Sequence, residues 1–274
     1  MFKTSMAITP TPTTFAPLLF AGEWERGLET AAELGYDAVE ISLRDPQAQV
    51  VKKLEKAIRR SGLAVSGVAT GQSYYMDGLS LVSLDPSVQR RLLDRMKGFV
   101  DFAAHWGALV IIGGIRGTFE GEQRARDAQR QRAVEAVRGY AEYAKSEGVL
   151  LAIEPINRYE TNFINTIEQA LEFIEEIGAE NLVVLADTFH MNIEEVSIAN
   201  SLERAGERLG YVHFADSNRQ APGQGHINFP ELAAVLRKIG YGGYISAEIL
   251  PVPDSRTAAR LAIDYFRSLE PRLA

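Results

Sequence analysis

Four side chains able to bind a metal end four short apolar runs in the second half of the chain. The runs are Val149-Leu-Leu-Ala-Ile-Glu154, Leu182-Val-Val-Leu-Ala-Asp187, Tyr211-Val-His213 and Tyr244-Ile-Ser-Ala-Glu248. Glu154, Asp187, His213 and Glu248 stand 33, 26 and 35 residues apart, and each interval is about the length of one strand plus one helix. If the runs are neighbouring parallel strands, two glutamates, one aspartate and one imidazole converge at one end of a sheet. Three carboxylates and an imidazole suit Mn²⁺, Co²⁺ or Mg²⁺ better than a structural zinc, which prefers Cys and His. The two glutamates can also move protons.

The elements that must position these residues alternate from end to end. Apolar runs recur near 4–9, 37–43, 64–69, 108–113, 149–154, 182–187, 211–215 and 244–250. Several are rich in Val and Ile and almost continuously apolar, as parallel strands buried on both faces must be. Amphipathic stretches lie between them: Glu23–Leu34, Ala48–Ser61, Pro86–Trp106, Gly121–Ser146, Thr166–Ile177, Ser201–Leu209, Phe229–Ile239 and Arg256–Leu269. Many end at a glycine suited to cap a helix, among them Gly35, Gly62, Gly107, Gly148 and Gly240. Asp85-Pro86 and Phe229-Pro230 put proline at a helix start. Eight strands alternating with eight helices predict an α/β fold, a (β/α)8 barrel over residues 1–274 as one domain. A doubly wound open sheet fits less well, because no glycine fingerprint follows the first strand. The stretch Gly71–Asp85 reads as irregular and would overhang the mouth as part of a lid.

Composition narrows the partners. With 46% hydrophobic and 24% charged residues, the chain can bury a large core. A net charge of −7 argues against nucleic acid, whose phosphates are bound by clustered Lys and Arg. The absence of cysteine rules out disulfides and thiolate metal sites. The first residues carry too short an apolar run for a signal peptide, and no stretch is long enough to span a membrane. The expectation is a cytoplasmic protein with no nucleic-acid or membrane partner.

Three segments carry a family resemblance: Ile153-Glu-Pro-Ile-Asn-Arg-Tyr-Glu160, Ala186-Asp-Thr-Phe-His-Met-Asn192 and Val212-His-Phe-Ala-Asp-Ser-Asn-Arg219. With them the chain resembles, over nearly its whole length, the xylose-isomerase-like barrels, and within these the D-tagatose 3-epimerase group of ketose epimerases. The resemblance implies one divalent cation, Mn²⁺ first, held by Glu154, Asp187, His213 and Glu248. It also implies that Glu154 and Glu248 exchange acid and base roles on opposite faces of the sugar. A ketose C3–H is α to the C2 carbonyl, so its removal gives an enediolate that a chelated cation stabilises. By the same resemblance Glu160, His190 and Arg219 hold the substrate's O1, O2 and O3 oxygens, and the protein assembles as a homodimer or homotetramer. His190 could instead be a supporting partner of the ligand set.

Arg116 follows Val110-Ile-Ile-Gly-Gly-Ile115 and is expected at the mouth. A neutral ketose needs no cation there, whereas a keto-sugar acid needs one for its carboxylate. Within the resembled group the chain is most similar to epimerases that interconvert 5-keto-L-gluconate and D-tagaturonate. Thr70-Gly-Gln-Ser-Tyr74 and Asn157–Asn165 add to that likeness, and Gln72, Tyr74 and Tyr75 would line the far end of the sugar pocket. His226, in Pro222-Gly-Gln-Gly-His-Ile-Asn-Phe229, is either a substrate or phosphate contact or a turn residue. His105 has no expected role. Other readings of the metal set are an aldose–ketose or inosose-type isomerase or dehydratase, and a non-catalytic sugar-binding barrel. An apurinic endonuclease would need more histidines than the four present, and a basic face.

Overall fold

In a computed structural model describing residues 2–13 and 17–269, the eight apolar runs form the staves of a closed barrel. They are β1 (Lys3–Ile8), β2 (Ala38–Ser42), β3 (Ala64–Ala69), β4 (Leu109–Ile112), β5 (Leu151–Ile153), β6 (Leu182–Asp187), β7 (Leu209–His213) and β8 (Tyr244–Ala247). Each pairs in parallel with the next, and β8 pairs with β1 to close the ring. Closure leaves no strand edge exposed.

The helices are α1 (Trp24–Leu34), α2 (Gln49–Ser61), α3 (Gly71–Asp77), α4 (Pro86–Trp106), α5 (Gln123–Ser146), α6 (Ile167–Ile177), α7 (Thr188–Glu194), α8 (Ile198–Ala205), α9 (Phe229–Lys238) and α10 (Ser255–Ser268). Their apolar stripes face the barrel. On α4 the buried residues Leu92, Met96, Phe99, Val100 and Ala103 recur at helical spacing. Asp85 caps this helix through Ser87 N, and Gly107 ends it at φ +64, a conformation that favours glycine. Among the described residues no helix is long and apolar enough to cross a membrane.

Two short helices depart from the sequence expectation. Gly71–Asp85 is not wholly irregular, because α3 occupies its first half. Its seven residues are too few to show a helical period. It is tied down instead by the ion pairs of Asp77 with Arg44 and Arg95. α7 starts directly after β6, because the Asp187 side chain accepts the Phe189 N–H. His190 therefore sits on this helical turn rather than on the strand end.

Strand periodicity sorts side chains between two layers. Most of the core lies between sheet and helices, while Leu109, Ile111, Ala152, Leu185 and Tyr211 form a small separate cluster inside the ring. Two residues beyond Ala152, Leu185 and Tyr211 lie Glu154, Asp187 and His213, on the same inward side and nearer the C-terminal mouth. The polar residues of interest thus form the top layer of the barrel filling.

Candidate active site

Asp187 and His213 are register partners across β6 and β7, which brings their side chains together without any loop. Glu154 and Glu248 each follow their strand by one residue. His213 Nδ1 lies 3.6 Å from Asp187 Oδ2 and 3.7 Å from both Glu154 Oε1 and Glu248 Oε2. One atom from each of the four residues falls within 4.8 Å of all the others, and all four side chains are buried. Donor atoms around one cation at about 2.0–2.2 Å stand at such separations.

The polar atoms of this cluster fit a cation and little else. Asp187 Oδ2 and His213 Nδ1 are buried with no hydrogen-bond partner. Asp187 spends its other oxygen, Oδ1, on the Phe189 N–H at 2.8 Å. An unsatisfied carboxylate oxygen beside an unsatisfied ring nitrogen is costly in a core, and a shared divalent cation satisfies both. The structure thus brings Glu154, Asp187, His213 and Glu248 together in an arrangement that could hold one.

Glu40, on β2, is the residue sequence reading missed. It is fully buried, and its Oε2 lies 2.8 Å from His213 Nε2 and 2.9 Å from Ser246 Oγ. A carboxylate can only accept, so Nε2 carries a proton and Nδ1 is the nitrogen turned toward the cluster. The β2–β3 register shifts between Val39 and Glu40, the kind of irregularity that re-aims a side chain. The available signal was an acidic residue between Val39 and Ile41 in a run otherwise fit for a buried strand.

The wall of the cavity carries the remaining expected residues. Arg219 donates to Glu248 Oε2 at 2.8 Å and to Glu160 Oε1 at 3.4 Å, and its guanidinium stacks over Phe189. Its backbone is left-handed, at φ +59. His190 places Nε2 at 3.7 Å from Asp187 Oδ2 and 4.0 Å from Glu154 Oε1, and Nδ1 at 2.8 Å from Asn157 Nδ2. Gln72 lines the same cavity. Its amide nitrogen is held by Thr9 Oγ1, Ser42 O and Ser42 Oγ, which leaves Oε1 buried and unpartnered. Gly113 lies against the Glu154 carboxylate so closely that any Cβ there would overlap it.

Arg116 behaves differently from its expectation as an open mouth residue. It is fully buried, with Nε on Gly113 O and Nη1 on the Phe163 and Ile164 carbonyls. It does not line the main cavity but a smaller one beside it, and both share Tyr75, Gly113, Gly114, Ile156 and Glu160. Its Nη2 is unpartnered, and among the described residues no carboxylate lies within ion-pair distance. Burial lowers it to about 10. Tyr74 lines the smaller cavity only, and Tyr75 lines both. His226 is outside both cavities, in an exposed loop bonded to Ser217 Oγ.

Electrostatics reflects the crowding of acids. Burial, then the charge of Glu248, pushes Glu154 up to about 8. Burial likewise raises Glu248, against the pull of His213 and Arg219. Burial would raise Asp187 too, but His190, His213 and Arg219 outweigh it and hold its carboxyl down. Burial lowers His190 to about 3, so its ring is neutral. Burial opposes the charging of His213, yet Glu40 and Asp187 prevail and raise it.

With this geometry in view, comparison with known proteins gives a consistent result. Residues 28–269 match the family described as xylose isomerase-like TIM barrel. An L-ribulose 3-epimerase of Mesorhizobium japonicum is 36% identical over 82% of this chain and 75% of its own length. A 3-dehydro-D-guloside 4-epimerase of Escherichia coli is 31% identical over 79% of this chain and 83% of its own. The crystal structure of a D-allulose 3-epimerase from Methylomonas sp. in complex with D-allulose superposes with a TM-score of 0.80 at 26% identity, covering 98% of both chains.

Two outcomes are expected. Glu154 is raised from 4.5 to about 8, so the metal-free protein loses stability as pH climbs through that interval and its buried carboxyl must ionise. A cation takes the proton's place, so the rise in Tm given by Mn²⁺ is larger at about pH 8.5 than at about pH 5.5. Equal shifts at both pH values would contradict this. Glu40→Gln weakens Mn²⁺ binding about 10- to 100-fold, counted as free Mn²⁺ by electron paramagnetic resonance. Wild-type affinity in that variant would remove Glu40 from the metal's support.

Proposed function

The chain belongs to the xylose isomerase-like TIM barrel family and is a carbohydrate epimerase, and we propose that it inverts C3 of a ketose or keto-sugar acid with a divalent cation, Mn²⁺ first. The observation that carries this reading is the pair Glu154 and Glu248. They leave β5 and β8 with β6 and β7 between them on the ring, and both line one cavity. Two carboxylates reaching a substrate from different staves supply what inversion needs: one takes the C3 proton and the other returns it on the opposite face. Their raised affinity for protons suits that exchange.

A cation held by Glu154, Asp187, His213 and Glu248 would act as a Lewis acid on the sugar's C2 and C3 oxygens. The chain's own groups do the rest. Arg219 holds Glu248 in place through a hydrogen bond of 2.8 Å and offers positive charge to the enediolate. His190, as a neutral donor, and Glu160 bind sugar oxygens beside it. Gln72 Oε1, fixed as an acceptor, takes a hydroxyl at the distal end.

Arg116 supports the keto-sugar-acid branch, including 5-keto-L-gluconate and D-tagaturonate. A buried guanidinium with a bare Nη2 and no paired carboxylate is a cation awaiting an anion. The smaller cavity it lines would join the main one where Tyr75 divides them. The likeness to the guloside 4-epimerase favours a second reading, inversion at C4 beside a C3 carbonyl, because that hydrogen is equally α to a carbonyl.

In D₂O, the wild-type protein with Mn²⁺ is expected to place deuterium at C3 of the ketose while the carbonyl stays at C2, read by NMR. Glu154→Gln and Glu248→Gln each lower kcat about 10²- to 10⁴-fold. An aldose product, or full activity in either variant, would overturn the C3 reading; deuterium at C4 of a 3-keto sugar would select the second. Arg116→Gln is expected to cut kcat/KM for keto-sugar acids about 10- to 100-fold, and for neutral ketoses far less. Equal losses on both substrate types would remove the carboxylate from Arg116.

A further inference from the structure

The two buried histidines of the site both carry a proton on Nε2, each held there by a residue outside the metal-binding four, but they turn opposite nitrogens toward the site. For His213 that residue is Glu40. For His190 it is Asn157, in the loop after β5. Asn157 Nδ2 lies 2.8 Å from His190 Nδ1, and the Asn157 backbone N–H approaches the same atom at 3.5 Å. The amide cannot be turned over: Nδ2 also donates to Glu160 Oε1 at 2.9 Å, while Oδ1 accepts the Tyr159 N–H at 3.0 Å. Two donors therefore meet His190 Nδ1, which must be the bare nitrogen. The ring's proton sits on Nε2, the atom turned toward Asp187 and Glu154.

We propose that Asn157 is a positioning residue that fixes the Nε2–H tautomer of His190, so that the imidazole presents a donor to the reacting sugar, and that its second amide hydrogen holds Glu160 for the same substrate. This rests on the reading that the cavity binds a ketose. As the C3 proton leaves, negative charge grows on the carbonyl oxygen, and a fixed N–H donor gains strength there. The other tautomer would turn a lone pair toward that charge. Asn157 is 2% exposed, so water cannot reset the ring. Its place between His190 and Glu160 also extends the chain Glu160–Arg219–Glu248, joining the donor to one of the two proton carriers.

Asn157→Asp tests this with almost no change of shape, because it replaces the donor by an acceptor beside Nδ1. The readout is a long-range ¹H–¹⁵N spectrum of the Mg²⁺-loaded, ¹⁵N-labelled protein, in which only four histidines contribute. In the wild type the unprotonated resonance of His190 belongs to Nδ1, and in Asn157→Asp it passes to Nε2. With that switch kcat falls about 10²- to 10³-fold while KM changes little, as expected when a transition-state donor is lost. Asn157→Ala, which leaves only the more distant backbone N–H at Nδ1, loosens the tautomer without reversing it and gives a smaller loss. A protonated Nδ1 in the wild type, an unswitched ring in Asn157→Asp, or a switched ring with wild-type kcat would each overturn the proposal. The tautomer is read without substrate, so it stands or falls separately from the ketose assignment.

Discussion

Three carboxylates, those of Glu154, Asp187 and Glu248, are buried within a few ångströms of one another at the mouth of the barrel. Two like charges about 4 Å apart repel by roughly 4 kcal/mol at the effective dielectric of a protein. No chain keeps such a cluster unless positive charge lies among them and rigid elements prevent retreat. Arg219 and His213 supply part of that charge. Burial, and then the charge of Glu248, still pushes Glu154 up to about 8. A site that binds protons this firmly between acids is one that a divalent cation can take over.

The barrel is built around that requirement. Closure fixes the spacing of β5 to β8, and register sets Asp187 opposite His213. Asp187 divides its oxygens, one capping α7 and one left for the cluster. Beneath, Glu40, itself anchored by the Ser246 hydroxyl, holds His213, and Ser5, Ser66 and the Tyr211 hydroxyl form a further buried polar chain at 2.6–2.7 Å. The apolar cluster of Leu109, Ile111, Ala152 and Leu185 fills the same lumen and keeps these bonds dry. Preorganisation of this kind is what lets an N–H donor or a carboxylate act without waiting for solvent to rearrange.

In the proposed reaction, substrate choice would lie with a different part of the molecule. Gln72 and Tyr75 come from α3, and Arg116 and Glu160 from the loops after β4 and β5. For that reaction these segments carry the acceptor, the aromatic wall and the buried cation that would separate one sugar from another. The barrel ring and its layer of Glu154, Asp187, His213 and Glu248 would serve any substrate with a hydrogen α to a carbonyl. Division of labour between a rigid ring and variable loops is a general property of this architecture.

Periodicity alone determined the order of the eight strands and the eight longer helices, though not the short α3 and α7, because near-continuous apolar runs bounded by capping residues leave few alternatives. It also identified Glu154, Asp187, His213 and Glu248, since one chemically active residue ended each of four successive runs. Glu160, His190 and Arg219 were singled out by the family resemblance of three segments, and all three line the cavity. Sequence could not reveal Glu40, which is 173 residues from His213 along the chain and touches it only because β2 and β7 face each other across a closed ring. Nor could it assign Asn157 a task, since the direction of an amide depends on Glu160, His190 and Tyr159 together. Arg116 was legible as a cation near the mouth, but whether it opens to the cavity or lies under the β5 loop depends on where the carbonyls of Phe163 and Ile164 fall. Local pattern specifies which residues reach the same end of the barrel; which atom of each faces its neighbour is a property of three-dimensional packing.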